Sequence, residues 1–456
     1  MGKTYAVIVM ILLGQHVYAQ SPPDTAIQLE AALKLALQHY PLLKQKKLEA
    51  DAAAKQTEVV KYGFLPSLDA GYQANLSTAN NLTGQFNPSG MLPLTGPPST
   101  SNNYTPALGS AASLLLNWQA VTFGQHSAQL ALAKADAGSK TAALRQEAFN
   151  HQVNVISKYL DLLLSYDILN VRRNNLLRVK ENLRQSTELA KSGIKPGADT
   201  ALFLSELSKA KVALLSGEKD LQANQWQLAR LLVTSGLPVP SDSLFLHRLP
   251  GTATIAGTAF EKHPLMQFAQ KQFEANQYRE QLLKKSWLPK LSFWGTVYAR
   301  GSGFEANGSI KALDGLALSR YNYGAGLQLS FPIMKYGETK LQVQQQSLLT
   351  QAAQQQVAET QNNLYTQQGI SNNAFSSSVA IAAETEKQLA AARYAFNAVQ
   401  TRYNTGLVNF ADLIQAQYNL LTAELDVKKA YWDAWTALLM QAAVKGDINI
   451  FMQQTR

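Results

Sequence analysis

The sequence predicts an α+β membrane protein built from two copies of one unit, each contributing two membrane-crossing strands and one long helical hairpin. Three observations predict it. One turn is carried twice, as Leu189-Ala190-Lys191-Ser192-Gly193-Ile194-Lys195-Pro196-Gly197-Ala198-Asp199 and as Arg402-Tyr403-Asn404-Thr405-Gly406-Leu407-Val408-Asn409-Phe410-Ala411-Asp412. Apolar residues recur at every seventh position around each turn, the period of a coiled coil. Between the helical stretches lie segments in which apolar and small polar residues alternate, the period of a strand.

Each copy of the turn reads as the tip of a helical hairpin. Its Gly permits the positive φ that ends one helix, and its Asp suits the first turn of the next, where a carboxylate meets the positive dipole end. The copies lie 406 − 193 = 213 residues apart.

Composition narrows the function classes. Of the 456 residues 46% are hydrophobic and 16% charged, few charges for a soluble helical protein. Length alone suggests two or three domains, but the duplication argues for two interlocked copies of one unit. Cysteine is absent, which excludes disulfides, thiolate metal sites and a catalytic thiol. The formal charge of +10 is spread along the chain without a basic cluster interleaved with aromatics, so nucleic acid is not an expected partner. Lys3, the apolar run Ala6 to Leu13 and Val17-Tyr18-Ala19 form a secretory leader, expected over 1–19. No Cys follows the cleavage site to carry a lipid anchor. No other apolar run approaches the ~20 residues of a membrane helix; a membrane location therefore requires strands.

Ala26 to Lys61 predicts a helix that Pro41 kinks or restarts, and Gly63-Phe64-Leu65-Pro66 stops it. From Ser67, Leu68, Ala70, Tyr72, Ala74 and Leu76 alternate with polar residues as a strand. Thr78 to Pro106 is a polar loop and Leu108 to Trp118 a second strand. Gly124 opens a helix running to Ser192, ~100 Å long, with Val155, Leu162, Leu169, Leu176, Leu183 and Ala190 in heptad phase. After the tip the heptad resumes at Leu207, Leu214, Leu221 and Leu228, and Ser235 to Gly257 links the halves.

The second half repeats this order. His263-Pro264-Leu265 answers His39-Tyr40-Pro41-Leu42, and Trp287-Leu288-Pro289 answers Phe64-Leu65-Pro66. Strands are predicted at Lys290 to Arg300 and Tyr321 to Phe331. Gly337 takes the place of Gly124, and the heptad continues at Phe375, Ala382, Leu389, Phe396 and Tyr403. A run rich in Gln (Gln342, Gln344, Gln345, Gln346, Gln354, Gln355, Gln356) reads as a hydrated inner wall. The boundaries are a leader over 1–19, a first repeat over 20–234, an inter-repeat linker over 235–260, to which the resemblance described below assigns an equatorial place, a second repeat over 261–445 and a tail over 446–456.

Strands of ~10 residues with one apolar face have the length and dyad pattern of bilayer-crossing strands. In lipid a sheet edge cannot stay unpaired, so the sheet must close. Four strands cannot enclose a pore, so copies must combine: two give eight strands and three give twelve, and only the larger leaves clear room for solutes.

Taken together, the duplicated architecture and the stretch Tyr403-x-x-Gly406-x5-Asp412-Leu413-Ile414-x-Ala416-Gln417-x-x-Leu420 resemble the TolC-like outer-membrane efflux family, the exit ducts of tripartite pumps and type I secretion systems. The resemblance covers essentially the whole mature chain. It implies a homotrimer with a 12-stranded β-barrel in outer-membrane lipid, four strands per chain, continued by a long antiparallel coiled-coil α-barrel in the periplasm. It also implies a periplasmic adaptor and an inner-membrane transporter as partners, and a passive conduit for drugs, metal ions, metabolites or polypeptides. By the same resemblance Asp412 faces the periplasmic entrance, where three copies form an anionic ring. Tyr403 matches the gate tyrosine and Asp199 the residue that holds it. Gln415 stands where some members carry a second carboxylate, Val408 where some carry Arg, and Ala198 where its partner is hydroxylated. Gly193, Ile194, Gly406 and Leu407 form the surface expected to receive the adaptor.

No catalysis, cofactor or metal is expected. His39, His151 and His263 have no second His or carboxylate at ligand spacing and read as structural or surface residues; no nucleophile elbow accompanies any Ser. A periplasmic adaptor predicts one hairpin rather than two. An exported coiled-coil scaffold leaves the strands and their Leu-Pro stops unexplained.

Overall fold

The computed structural model describes residues 25–80, 99–193, 197–242, 244–251, 260–305 and 309–455. The expected leader, the middle of the first polar loop, Ile194 and part of the inter-repeat linker lie outside the described residues. In chain order the elements are β1 (Thr25–Ile27), α1 (Leu29–His39), α2 (Pro41–Tyr62), β2 (Ser67–Ser77), β3 (Ala107–Val121), α3 (Gln125–Lys191), α4 (Gly197–Leu232), β4 (Pro238–Pro240), α5 (Pro264–Lys285), β5 (Lys290–Ser302), β6 (Arg320–Ser330), α6 (Lys335–Asn404), α7 (Phe410–Lys445) and α8 (Asn449–Met452). They form two compact units, each drawing on both sequence repeats.

One unit comprises Lys46–Leu144 and Leu265–Thr360 and holds an antiparallel sheet in the order β2-β3-β5-β6. Pro66 and Pro289 follow the ends of α2 and α5, and the alternating segments then pair as the period demands. The register places Leu68, Ala70, Tyr72 and Leu76 opposite Leu116, Leu114, Ala112 and Leu108. Leu114 in turn faces Val297, Trp118 faces Phe293, and Val297 and Phe293 face Tyr323 and Leu327. Every strand therefore turns its apolar set to the same side, and a slip of one residue in any pair would destroy that match. The apolar face carries no protein over most of its area: Tyr321 is 79% exposed, Tyr323 91% and Leu327 71%. β2 and β6 are the sheet's edges, each pairing on one side only among the described residues.

Two expectations need correction in this unit. Gly124 sits just before α3 with φ +87, but Gly337 lies inside the first turn of α6 without a left-handed φ. The second helix therefore starts at Lys335, ahead of its glycine, because Ile333 and Met334 make the turn there. Gln346 is no part of a hydrated wall. It is 5% exposed, and its Nε2 donates to Asn276 Oδ1 on α5 at 3.0 Å. Gln344, Gln345, Gln354, Gln355 and Gln356 are exposed as expected.

The other unit comprises Met1–Gln45, Arg145–Pro264 and Gln361–Arg456. Its core follows the heptads: Val155, Leu162 and Leu169 on α3, Leu228 on α4, and Phe375, Ala382, Phe396 and Tyr403 on α6 are all buried. The described part of the inter-repeat segment, 235–242 and 244–251, is tied into the fold. β4 pairs in parallel with β1, and Asp242 Oδ2 accepts both the Leu29 backbone N–H at the start of α1 (2.8 Å) and the Tyr159 hydroxyl (2.7 Å). A carboxylate there also meets the positive end of the helix dipole. Phe245 packs on Trp435 and Phe451, with ring centroids 4.8 and 6.1 Å apart. The Trp435 indole donates to the Arg248 carbonyl at 3.0 Å.

Two histidines of this unit, His151 and His263, are structural, whereas His39 and His247 are exposed. His151 stacks on Tyr40 at 3.8 Å. His263 Nε2 contacts the Ala443 carbonyl at 3.0 Å, and its imidazole lies where a Cβ on Gly446 would come within 2.9 Å. Gly446 also takes φ +72 as the cap of α7, so both backbone and neighbour require glycine there. Pro41 and Pro264 each open a helix, so Tyr40, rather than His39, is the counterpart of His263.

Candidate functional site

The candidate site is the pair of hairpin tips. Gly193 and Gly406 take φ +69 and +79 after α3 and α6, as the duplicated turn demands. A Cβ on either would meet nothing within 4 Å, so the glycines serve the turn and leave the surface open. Leu407, beside Gly406, is 71% exposed.

The two hairpins are held together at this end by a small aromatic core. Phe203 of α4 is fully buried against Tyr403 and Phe410, with centroids at 6.0 and 4.7 Å. Leu413, Ala416 and Leu420 complete it, with Val408 and Ile414 packed at its margin. At the edge of this core the Tyr403 hydroxyl donates to Asp199 Oδ2 at 3.1 Å. The structure thus brings together two residues 204 positions apart that the sequence pairs only by resemblance. Burial pushes the Tyr403 hydroxyl up to about 12; the adjacent Ser186 hydroxyl opposes that rise, and the Asp199 carboxylate adds to it. The hydroxyl therefore stays protonated and remains the donor.

Asp412 is engaged in its own helix. Asn409 Oδ1 accepts the Asp412 backbone N–H at 2.9 Å, and the Asp412 carboxylate accepts the Asn409 N–H at 3.4 Å, a reciprocal capping box. Gln415 is exposed and donates to Asn419 at 2.9 Å. Asp199, Tyr403 and Asp412 therefore share one end of this unit, with Asp199 and Tyr403 in contact.

Above the tip, α3 and α7 meet through polar groups that the sequence reading did not single out. Asn182 Nδ2 donates to Gln417 Oε1 at 2.8 Å, Gln400 Nε2 donates to Asn182 Oδ1 at 3.1 Å, and Gln417 reaches Asn175 at 3.4 Å. Asn175, Asn182 and Gln417 are buried. Arg178 binds Glu424 through two parallel hydrogen bonds of 2.8 and 2.6 Å, and Lys428 pairs with Asp167 at 2.9 Å. Tyr418 donates to Glu206 of α4. A signal existed: Asn175 and Asn182 are seven residues apart beside Leu176 and Leu183, so they share the heptad seam.

Among the described residues no group of three or more His, Asp or Glu is placed to hold a metal ion. No described helix is long and apolar enough to cross a membrane.

Comparison with known proteins gives a consistent assignment. No curated protein matches the sequence. The chain is similar in fold to CusC, a transmembrane channel (14% identity over 93% of each chain, TM-score 0.77). It is also similar to the CmeC outer membrane channel of Campylobacter jejuni (14% identity over 98% of this chain and 93% of that one, TM-score 0.74). The open state of the MtrE outer membrane channel of Neisseria gonorrhoeae matches at 15% identity over 94% and 97%, with TM-score 0.72. The family model described as outer membrane efflux protein matches residues 32–233 and 255–439. The chain belongs to the outer membrane efflux protein family and is a non-catalytic efflux conduit of the outer membrane.

Proposed function

We propose that three copies of the chain close one 12-stranded barrel in outer-membrane lipid and one helical duct beneath it, through which an inner-membrane transporter and a periplasmic adaptor expel cargo. The observation that carries this reading is the sheet: four strands, one continuous exposed apolar face and two open edges. An open edge in hydrocarbon leaves several backbone groups unsatisfied, each at a cost of several kcal/mol, roughly. Pairing β6 of one copy with β2 of the next removes every edge at once.

In this reading the repeats over 20–234 and 261–445 each supply two strands and one hairpin, while residues 235–260 and the tail over 446–456 belong to an equatorial belt. The tips form the periplasmic gate. Tyr403 and Asp199 latch the two hairpins of one copy, the three Asp412 carboxylates and the Gln415 amides line the entrance, and opening breaks the latch. MtrE is described in an open state, so this architecture admits one. Gly193, Ile194, Gly406 and Leu407 present the surface for the adaptor's hairpin tips. Cargo, whether small molecule or polypeptide, is selected upstream by the transporter.

Planar-bilayer recording tests the reading. Purified protein should insert and conduct, with brief low-conductance openings that Tyr403→Phe lengthens. Asp412→Asn should lower cation preference while leaving the helix start intact, since Asn409 remains the N-cap and the new amide oxygen can still accept its backbone N–H. Protein that inserts and never conducts, in wild-type and Tyr403→Phe form alike, would overturn the duct.

A further inference from the structure

The internal duplication fixes more than the number of strands. The two hairpins of the sheet are copies at the level of single residue pairs. Shifting the first strand by 223 residues (289 − 66, from the two Leu-Pro stops) and the second by 213 turns Ser67↔Asn117 into Lys290↔Ser330. The same shifts turn Leu76↔Leu108 into Ala299↔Tyr321. The 213-residue shift is also the one that relates Gly193 to Gly406 at the tips, so one correspondence serves both ends of the repeat.

The joint between the hairpins, β3 with β5, has its counterpart in the joint that closes the barrel, β6 of one copy with β2 of the next. From this we propose that the seam between copies repeats the β3·β5 register. Leu116↔Gly295, Leu114↔Val297 and Ala112↔Ala299 carry over as Leu329, Leu327 and Ala325 against the partner's Tyr72, the partner's Ala74 and the partner's Leu76. On the polar side, Leu115↔Thr296 carries over as Gln328 against the partner's Gln73.

This inference rests on the trimeric barrel proposed above and deepens it. The face pattern alone excludes every odd slip, because an odd slip sets Tyr and Leu side chains against Gln and Asn. It does not distinguish slips of two. A second observation does. The β3·β5 ladder is interrupted between Trp118 and Val121, where Gln119 and Ala120 bulge. Their counterparts in the second repeat are Pro332 and Ile333. Proline cannot donate to a ladder and is tolerated at a bulge or a strand edge. The transferred register puts Pro332 in the bulge, with Phe331 and Met334 resuming the pairing on either side. A two-residue slip would set the bulged Pro332 opposite the partner's Ser67 or the partner's Gly71 instead of the partner's Asp69, the counterpart of Ser292, and so would break the correspondence with the β3·β5 bulge. The transferred register also sets Met334, 95% exposed, against the partner's Leu68, a residue 67% exposed, covering apolar surface at the sheet's helix-proximal end.

The chain has no cysteine, which makes the test direct. Gln73→Cys combined with Gln328→Cys is oxidised in purified detergent-solubilised protein and run on a non-reducing denaturing gel. Within one copy these positions lie on opposite edges of four strands, about 14 Å apart at ~4.8 Å per strand, beyond disulfide reach. Any product therefore joins two copies. The expected result is rapid conversion to covalent dimers and trimers. The slipped pairs Gly71→Cys with Gln328→Cys and Asn75→Cys with Gln328→Cys should lag about tenfold, since diagonal neighbours lie outside bonding distance. A slipped pair that outruns the Gln73/Gln328 pair would overturn the register while leaving the closed barrel standing. Failure of all three pairs to link copies would overturn the pairing of β2 with β6, and the barrel reading with it.

Discussion

The two units of this chain treat their large apolar side chains in opposite ways. In the helical unit Trp435, Tyr159, Phe203 and Phe451 are buried almost completely, each with aromatic neighbours. In the sheet unit Tyr72, Tyr321, Tyr323 and Leu327 stand on a continuous face with nothing over them. Residues of the same kind cannot be stabilising in one place and inconsequential in the other. The helices exclude water by packing on each other, whereas the bare face of the sheet is what the proposed contact with lipid would cover. The first unit packs its large side chains within the chain; on the trimeric reading proposed above, the second completes its packing only with a bilayer and further copies.

This contrast can be broken by experiment, most severely by Trp435→Ala. Losing that side chain from a closed core should cost about 3–5 kcal/mol, whereas Tyr323→Ala, read by thermal melting in detergent, should cost less than a third of that. Equal losses would erase the distinction. A charge probes the same difference from the lipid side. Leu114→Arg, midway along the apolar face, should cost about 2–4 kcal/mol of assembly in bilayers. Ser113→Arg, one residue along and on the opposite face, should be tolerated. The readout is the yield of heat-sensitive oligomer in vesicles, and equal yields would contradict the assignment of faces.

A smaller loss is expected at the polar seam of the helical unit. Glu424→Ala strands the Arg178 guanidinium and should cost about 3 kcal/mol or somewhat less in thermal melting, given its partial exposure. Of similar kind but opposite sign is Val233, a β-branched residue held at φ +56 after α4. Val233→Gly relieves that strain and should stabilise by about 1 kcal/mol.

The smallest effect is on pH. Burial holds the His263 imidazole below its ordinary 6.5, the contact with the Ala443 carbonyl opposing this only in part. The unfolded chain then binds a proton that the folded chain does not. Stability is complete at neutral pH and is lost as pH falls below about 6.5. His263→Gln should flatten that slope in urea titrations at pH 7 and pH 5; an unchanged slope would assign it to other groups.

Much of this was legible in the sequence, for a physical reason. Strands β2 and β5 begin at Ser67 and Lys290 as expected, because a Leu-Pro stop fixes the point where the period changes from helix to strand. The heptads identified the buried stripes of α3 and α6 because coiled-coil packing has a fixed period. What escaped lacked a period. β1 and β4 are three residues each, and β4 begins and ends on proline, so their pairing is decided by contacts across the fold. Gln346 escaped because its burial depends on Asn276 across the helix pair, which composition does not encode. At the tips, the Tyr403–Asp199 contact was expected only through family resemblance; the spacing of the two residues carries no trace of it.

The central claim is that the sheet is incomplete in one copy. Native mass spectrometry of the protein extracted in mild detergent tests it most directly. The account predicts one dominant particle holding three chains that persists on dilution and separates on heating. A stable, folded single chain carrying only a detergent belt would contradict it.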